Sequence, residues 1–253
     1  MKIIVLIKQV PDTWSDRRLD PVTGRIDRSA DPVVDEITER AMEVALSEKD
    51  ASDAEVVLMT MGPSSATDMV RKGLAIGADR AVHIVDDALA GSDMLRTSAV
   101  LAAALRREGF DLVVTGNEST DGRGGAIAAM VAEQLELPHA TALNSVTITA
   151  DSVSGERAGE TGARSIRATL PAVISITERN PEARFPSFKG SMRAKKKPID
   201  VVTLAQLGLD EPTSRSVVLR ATQRPPRTAG RKVVDDGNAA AELAEFLTSS
   251  HLI

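Results

Sequence analysis

Residues 116–127 read Gly-Asn-Glu-Ser-Thr-Asp-Gly-Arg-Gly-Gly-Ala-Ile and hold the residue types best suited to chemistry in this chain. Glycines at Gly116, Gly122, Gly124 and Gly125 let a backbone approach an anion closely. The free N–H groups at the start of a following helix point at such an anion. Ser119 and Thr120 can donate hydroxyls, and Arg123 can add positive charge. Asn117, Glu118, Ala126 and Ile127 complete the segment. Asp121 is expected to cap the helix, or to meet a ribose or amide donor, rather than to catalyse. The loop is not a Walker A motif, because no lysine follows a terminal glycine, and it does not fit GxGxxG. It suggests a nucleotide without naming one. The plainer alternative is an ordinary tight strand-to-helix turn.

Other chemistries are poorly supported. The 253 residues contain no cysteine, which excludes disulfides, thiolate metal sites and a cysteine nucleophile. The three histidines, His83, His139 and His251, lie far apart with no metal-ligand spacing. No Ser/His/Asp grouping occurs in a recognisable context, and the carboxylates are scattered. The balance favours binding or carrying over bond chemistry. A formal net charge of −5 argues against nucleic acid as a partner. No run of 18 apolar residues exists, so no membrane insertion is expected. The opening MKIIVLIKQV reads as a strand and not as a signal peptide, which leads us to expect a cytoplasmic protein.

The elements that must position the loop follow from the pattern around it. Residues 111–115 (DLVVT) form a short apolar run before it, and residues 126–135 have helical spacing after it. Further strands are expected at 3–7, 54–60 and 81–85. Helices are expected at about 34–48, 65–74 and 92–107, the second with Ser65 and Asp68 spaced as an N-terminal cap. Aromatics make up only 2% of the chain, so the core must be aliphatic, as suits helices on a parallel sheet. The fold class expected is α/β: a doubly wound, mostly parallel sheet with helices on both faces. After about residue 140, runs at 145–149 and 163–169 suggest an antiparallel addition, and 170–176 another buried strand. A small hairpin is expected around 19–26. Pro225, Pro226 and Gly230 mark an extended arm before a last helix at about 238–247. The organisation expected is a nucleotide-binding domain over 1–205 and a C-terminal arm and helix over 206–253. Ligands of such sheets sit beyond the carboxyl ends of the strands. Residues 7–10, residues 61–63 and the glycine loop all fall there.

One stretch is unlike the rest of this acidic chain. Residues 189–197 (KGSMRAKKK) are strongly basic, and two of the four phenylalanines, Phe185 and Phe188, immediately precede them. A charge run is usually a solvated face. Aromatics beside positive charge more often mark a docking patch. Phe185, Phe188, Lys189, Met192, Arg193, Lys195 and Lys196 are the candidate docking residues.

Several further pieces stand out along the chain: VLIKQVPD (5–12), DPVVDE (31–36), MGP (61–63), KGLAIGADRAVHI (72–84), the glycine loop, RATLPAVISITERNPEARFPSF (167–188), MRAKKKPIDV (192–201) and PPRTAG (225–230). In this order they resemble the β subunit of electron-transfer flavoproteins and the related FixA-type subunits. The resemblance implies a heterodimer whose α subunit holds most of an FAD, while the β subunit binds AMP as a structural ligand. The matching AMP positions are Leu6, Asp31, Pro32, Val33, Val34, Met61 and Gly116 to Ile127. The family usually has Asn at position 31 and a Phe in the segment that here carries Val33. Thr13 or Trp14 is then a candidate to approach the flavin ring. Phe188 matches the apolar anchor of the family's recognition loop, with Lys189 where Pro is common in mitochondrial relatives. The implied partners are the α subunit, flavin dehydrogenases such as acyl-CoA dehydrogenases, and a quinone reductase as acceptor. The implied role is an electron carrier without bond-making chemistry of its own. Two alternatives remain open. One is a bifurcating relative with FAD in the β cleft and NADH as donor. The other is a stand-alone adenine-nucleotide-binding regulatory module.

Overall fold

A computed structural model describes residues 1–253 apart from 16–17, 21, 29–31, 210–213, 217, 223 and 226–228. In chain order the elements are β1 (Lys2–Leu6), β2 (Gln9–Pro11), β3 (Pro32–Val34), α1 (Glu36–Ser52), β4 (Glu55–Met61), α2 (Thr67–Ile76) and β5 (Arg80–Ile84). Next come α3 (Met94–Glu108), β6 (Leu112–Gly116), α4 (Ile127–Leu135), β7 (His139–Leu143), β8 (Ser145–Ile148), β9 (Ser152–Gly159), β10 (Gly162–Thr169) and β11 (Ala172–Ile176). The chain ends with α5 (Phe188–Ala194), β12 (Ile199–Val202) and α6 (Ala239–Ser249). It divides into two compact units, 1–221 and 222–253.

The first unit is built on a seven-stranded sheet in the order β12-β5-β4-β1-β6-β11-β7. Every pairing in it is parallel. Strand alternation splits the apolar residues between two cores. Ile3, Val5 and Ile7 pack with Ala41, Met42 and Leu46 of α1 and with Val70 and Leu74 of α2. Ile4 and Leu6 pack with Val100, Ala104 and Leu105 of α3 and with Val131 of α4. Burial on both faces is why these strands read as continuous aliphatic runs. From β1 the chain moves outward through β4 to β5, then crosses over the other face to β6. The direction of winding therefore reverses between β1 and β6, and a crevice opens at their carboxyl ends.

The expected α/β fold and the antiparallel addition are both present. β8, β9 and β10 form a separate three-stranded antiparallel sheet. An antiparallel bridge joins Leu19 and Ile26 where a hairpin was expected. One local expectation needs correction. The capping pair Ser65 and Asp68 does not form. A short 3-10 turn at Ser64–Ala66 intervenes, and α2 begins at Thr67 with no side-chain cap. The polar stretch 178–197 contains a helix, α5, and leads into a further strand, β12. That strand sits at the sheet edge with only one buried residue, so it lacks the apolar run that identifies the others. Among the described residues no helix is long and apolar enough to cross a membrane, and no cluster of His, Asp or Glu is arranged to hold a metal.

The segment between β11 and α5 is held by charge. Arg184 donates to Glu43 through Nε at 2.9 Å and Nη2 at 2.7 Å, and through Nη1 to Asp50 at 2.7 Å. Its backbone N–H also donates to Glu43 at 3.0 Å. Arg40 Nη1 donates to the carbonyl of Asn180 at 2.5 Å. Burial alone would raise the Glu43 carboxyl, but the Arg184 contacts outweigh it and hold the group below the usual glutamate range. α5 in turn is fitted onto the end of α2. A Cβ on Gly190 would come within 2.4 Å of the Ala75 carbonyl oxygen, so only glycine permits that approach. Lys197 Nζ donates to the carbonyls of Leu74 at 3.0 Å and Ala78 at 2.5 Å, capping the end of α2. One lysine of the basic run is therefore structural.

Replacing Arg184 by Met should cost about 1–2 kcal/mol of stability, discounted because the Arg184 side chain is 36% exposed. The sign with pH follows from a depressed carboxyl. The pair's contribution is complete above the ordinary glutamate range and is lost as pH falls through the lowered folded value. Thermal unfolding across pH 3 to 7 (roughly the window around an ordinary Glu) should show the variant's deficit shrinking in acid. A deficit that grows on acidification would contradict the assignment.

Candidate functional site

The crevice at the switch point is a cavity of about 330 Å³. Its apolar lining comes from two strand ends and two helices: Leu6 of β1 and Met59 and Met61 of β4, with Ile37 from α1 and Leu101 from α3. Its polar lining is the glycine loop, with Gly116, Asn117, Glu118, Ser119, Gly122, Gly124 and Gly125 all facing it, and Ile127 at the start of α4. An apolar slot against a rim of backbone donors suits a flat heterocycle carrying an anionic tail.

The loop's path is set by close contacts. A Cβ on Gly116 would lie 2.6 Å from Ile37 Cγ2, so the root of the loop presses directly on the first turn of α1. Arg123 adopts the left-handed region at φ 46° and donates its N–H to the Ser119 carbonyl at 2.9 Å, closing a turn. Gly125 follows at φ 64°, where a side chain would be strained. Ala126 precedes α4 and offers no side-chain cap, so the first amides of α4 meet no side-chain acceptor from that position.

Two buried carboxylates fix the loop. Asp35 is fully buried just before α1. It accepts the Thr120 N–H at 2.9 Å, and its own N–H donates to the Lys8 carbonyl at 2.9 Å. Burial pushes the Asp35 carboxyl up, and the Thr120 contacts partly offset this. Asp121 differs. Its side chain has no exposed surface, Lys8 Nζ lies 2.8 Å from Oδ1, and Arg28 pairs with Oδ2. Gly122 N–H donates to Asp121 Oδ1 at 2.6 Å. Burial alone would raise this carboxyl, yet Lys8, Ser119 and Arg28 hold it well below the usual range. Of the roles expected for Asp121, capping is corrected, since α4 begins at Ile127 after an Ala126 that offers no side-chain cap; the amide donor it meets is Gly122, within an ion-paired network with Lys8 and Arg28.

Leu6, Met61 and most of 116–127 converge on the cavity. Asp31 lies outside the described residues. Pro32, Val33 and Val34 form β3, paired antiparallel with β2 beside the exit of β1, and do not line the cavity. Thr13 Oγ1 donates to Glu36 at 3.2 Å, and Trp14 is 94% exposed. Phe185, Phe188, Lys189, Met192, Arg193, Lys195 and Lys196 lie away from the cavity, all exposed around α5. Sequence reasoning missed the wall supplied by Ser92, Asp93, Met94 and Thr97 at the start of α3. The signal was there, since Asp93 caps α3 by accepting the Arg96 N–H at 2.8 Å. The same carboxylate also accepts the N–H groups of Arg215 and Ser216, at 2.7 Å and 2.9 Å. Replacing Asp35 by Ala should lower stability by about 1–3 kcal/mol, by stranding the Thr120 amide. Amide exchange at 117–125 should accelerate by tenfold or more, roughly 1.4 kcal/mol of local protection. Unchanged exchange there would show that Asp35 does not hold the loop.

Comparison with known proteins agrees with this architecture. The family described as "Electron transfer flavoprotein domain" matches residues 23–207. The chain is 48% identical over 263 residues to the electron transfer flavoprotein subunit beta of Mycobacterium tuberculosis, covering 99% of each chain. It is 32% identical to the subunit of the same name from Megasphaera elsdenii, covering both chains in full. It is 34% identical over 220 residues to Protein FixA of Azorhizobium caulinodans, covering 83% of this chain and 78% of that one. A doubly wound sheet with a glycine-loop crevice, together with these matches along its length, establishes that the chain belongs to the electron transfer flavoprotein β-subunit and FixA family.

Proposed function

We propose that this chain is the AMP-holding and partner-docking subunit of a heterodimeric electron carrier. The single observation that supports AMP is the cavity itself, with apolar Leu6, Met59, Met61 and Leu101 opposite a glycine loop rich in backbone donors. The apolar side suits adenine, and the loop amides suit a phosphate. In this reading the FAD is held mainly by the α subunit and supplies the electron chemistry. This chain's residues bind the nucleotide, fix the loop and present the docking surface. Flavin dehydrogenases, such as acyl-CoA dehydrogenases, deliver electrons, which pass on toward a quinone reductase. The unit 222–253 is proposed to pack on the α subunit. Its α6 carries Leu243 and Phe246 three residues apart on one face, both more than half exposed.

Docking is assigned to α5 and its approach. Phe188 is 87% exposed and Phe185 is 93% exposed, unusual for the largest apolar side chains of an acidic protein. Phe188 and Met192 are four residues apart on α5 and share a face. Lys189, Arg193, Lys195 and Lys196 surround them with positive charge, which favours an acidic rim on the partner.

Two measurements test these assignments. Denaturing the purified heterodimer and counting released ligands should give one AMP and one FAD. Two FAD and no AMP would replace the carrier reading with an electron-bifurcating one. Replacing Phe188 by Ala should lower kcat/KM with the dehydrogenase by roughly tenfold or more, as for an interface anchor, with FAD content intact. Unaltered kinetics would remove Phe188 from the docking surface.

A further inference from the structure

The ion-paired network beneath the glycine loop has a feature that nucleotide binding alone does not require. Lys8 lines the cavity, and its Nζ donates to Ser119 Oγ at 3.1 Å as well as pairing with Asp121. A Cβ built on Gly122 would stand 3.8 Å from that nitrogen. The ammonium therefore lies against the loop backbone at Gly122, whose own N–H is taken by Asp121. A lysine beside a glycine loop is the device by which phosphate-binding loops reach the outer phosphates of a nucleoside triphosphate. Here its charge is already answered from inside. The Asp121 side chain has no exposed surface, and it takes Lys8 on one oxygen and Arg28 on the other. Arg28 is also tied to the backbone, donating from Nη1 to the Gln9 carbonyl at 3.1 Å. Asp35, fully buried, is close enough to Lys8 and Asp121 to interact electrostatically with both. With both carboxylates ionised, two cations and two carboxylates make this described cluster neutral as a group. An anion at the loop then meets oriented amide dipoles and no surplus positive charge from this cluster.

We propose that Asp121 sets how many phosphates the cavity accepts. By neutralising Lys8 and Arg28 from within the loop, it leaves a site matched to a nucleoside monophosphate and disfavours each further negative charge of a di- or triphosphate. The inference rests on the nucleotide reading of the cavity and adds a determinant of ligand class to it. The physical ground is that additional phosphate charge entering a partly desolvated crevice needs a counter-charge, and the lysine that lines the cavity, with Arg28 beside it, is already occupied. Asp121 acts through the cations and is a positioning residue for their charge, since it has no surface to touch a ligand.

The test uses the intact complex with its partner subunit, freed of bound nucleotide and titrated with AMP, ADP and ATP at low and high salt. Three forms are compared: the unaltered chain, Asp121→Asn and Lys8→Met. Asp121→Asn keeps the shape and removes one negative charge. It should raise the ratio of ATP to AMP affinity by about tenfold or more, with the gain shrinking at high salt. Lys8→Met should lower the same ratio. General damage to the loop cannot move one ratio in two opposite directions, so the pair separates electrostatics from misfolding. If the unaltered complex binds AMP but Asp121→Asn leaves the ratio unchanged, or both variants shift it the same way, this proposal is overturned and the nucleotide cavity stands. If the unaltered complex binds none of the three nucleotides, both readings are overturned.

Discussion

The reversal of winding between β1 and β6 is the constraint on which the rest of the molecule depends. β1 pairs with β4 on one side and with β6 on the other, in parallel on both. Connections on its two sides leave for opposite faces, so no helix can cover the gap above the strand ends. The sheet therefore creates the crevice whatever lines it. What the sequence adds is a lining of aliphatic side chains at the strand ends and glycines where β6 gives way to α4.

The loop is then held from below by charge. Asp35 and Asp121 are both fully enclosed, yet burial pushes one carboxyl up while neighbouring cations hold the other down. The difference is one of partners: backbone and hydroxyl donors for Asp35, two cations for Asp121. Removing either group from water is unfavourable, and the surrounding donors offset that penalty only in one loop conformation. The network thus specifies geometry more than it adds stability.

Much of this was legible in the residues. Runs such as IIVLI, VVLM and LVVT, buried on both faces, announce parallel strands because nothing polar interrupts them. The glycine loop announces itself because a left-handed backbone at Gly125 and a close approach at Gly116 both require that residue type. Other features could not be read in advance. Lys8 and Asp121 are 113 residues apart, and no local pattern couples them. β12 escapes notice because an edge strand with outward polar positions has no apolar run. Lys197 looks like one more surface charge, and only the position of α2 reveals it as a cap. The Ser65 and Asp68 pattern misleads because Pro63 enters in an extended conformation and a tight turn precedes the helix.

The seating of α5 has a kinetic corollary. Gly190 lets its backbone sit down on the end of α2, and Lys197 clamps the segment immediately after it. The outward side of this short helix is thus ordered before any encounter, and little chain entropy remains to be surrendered on contact. Under the docking role proposed above, such a preordered surface has no segment that must fold on arrival or unravel on departure.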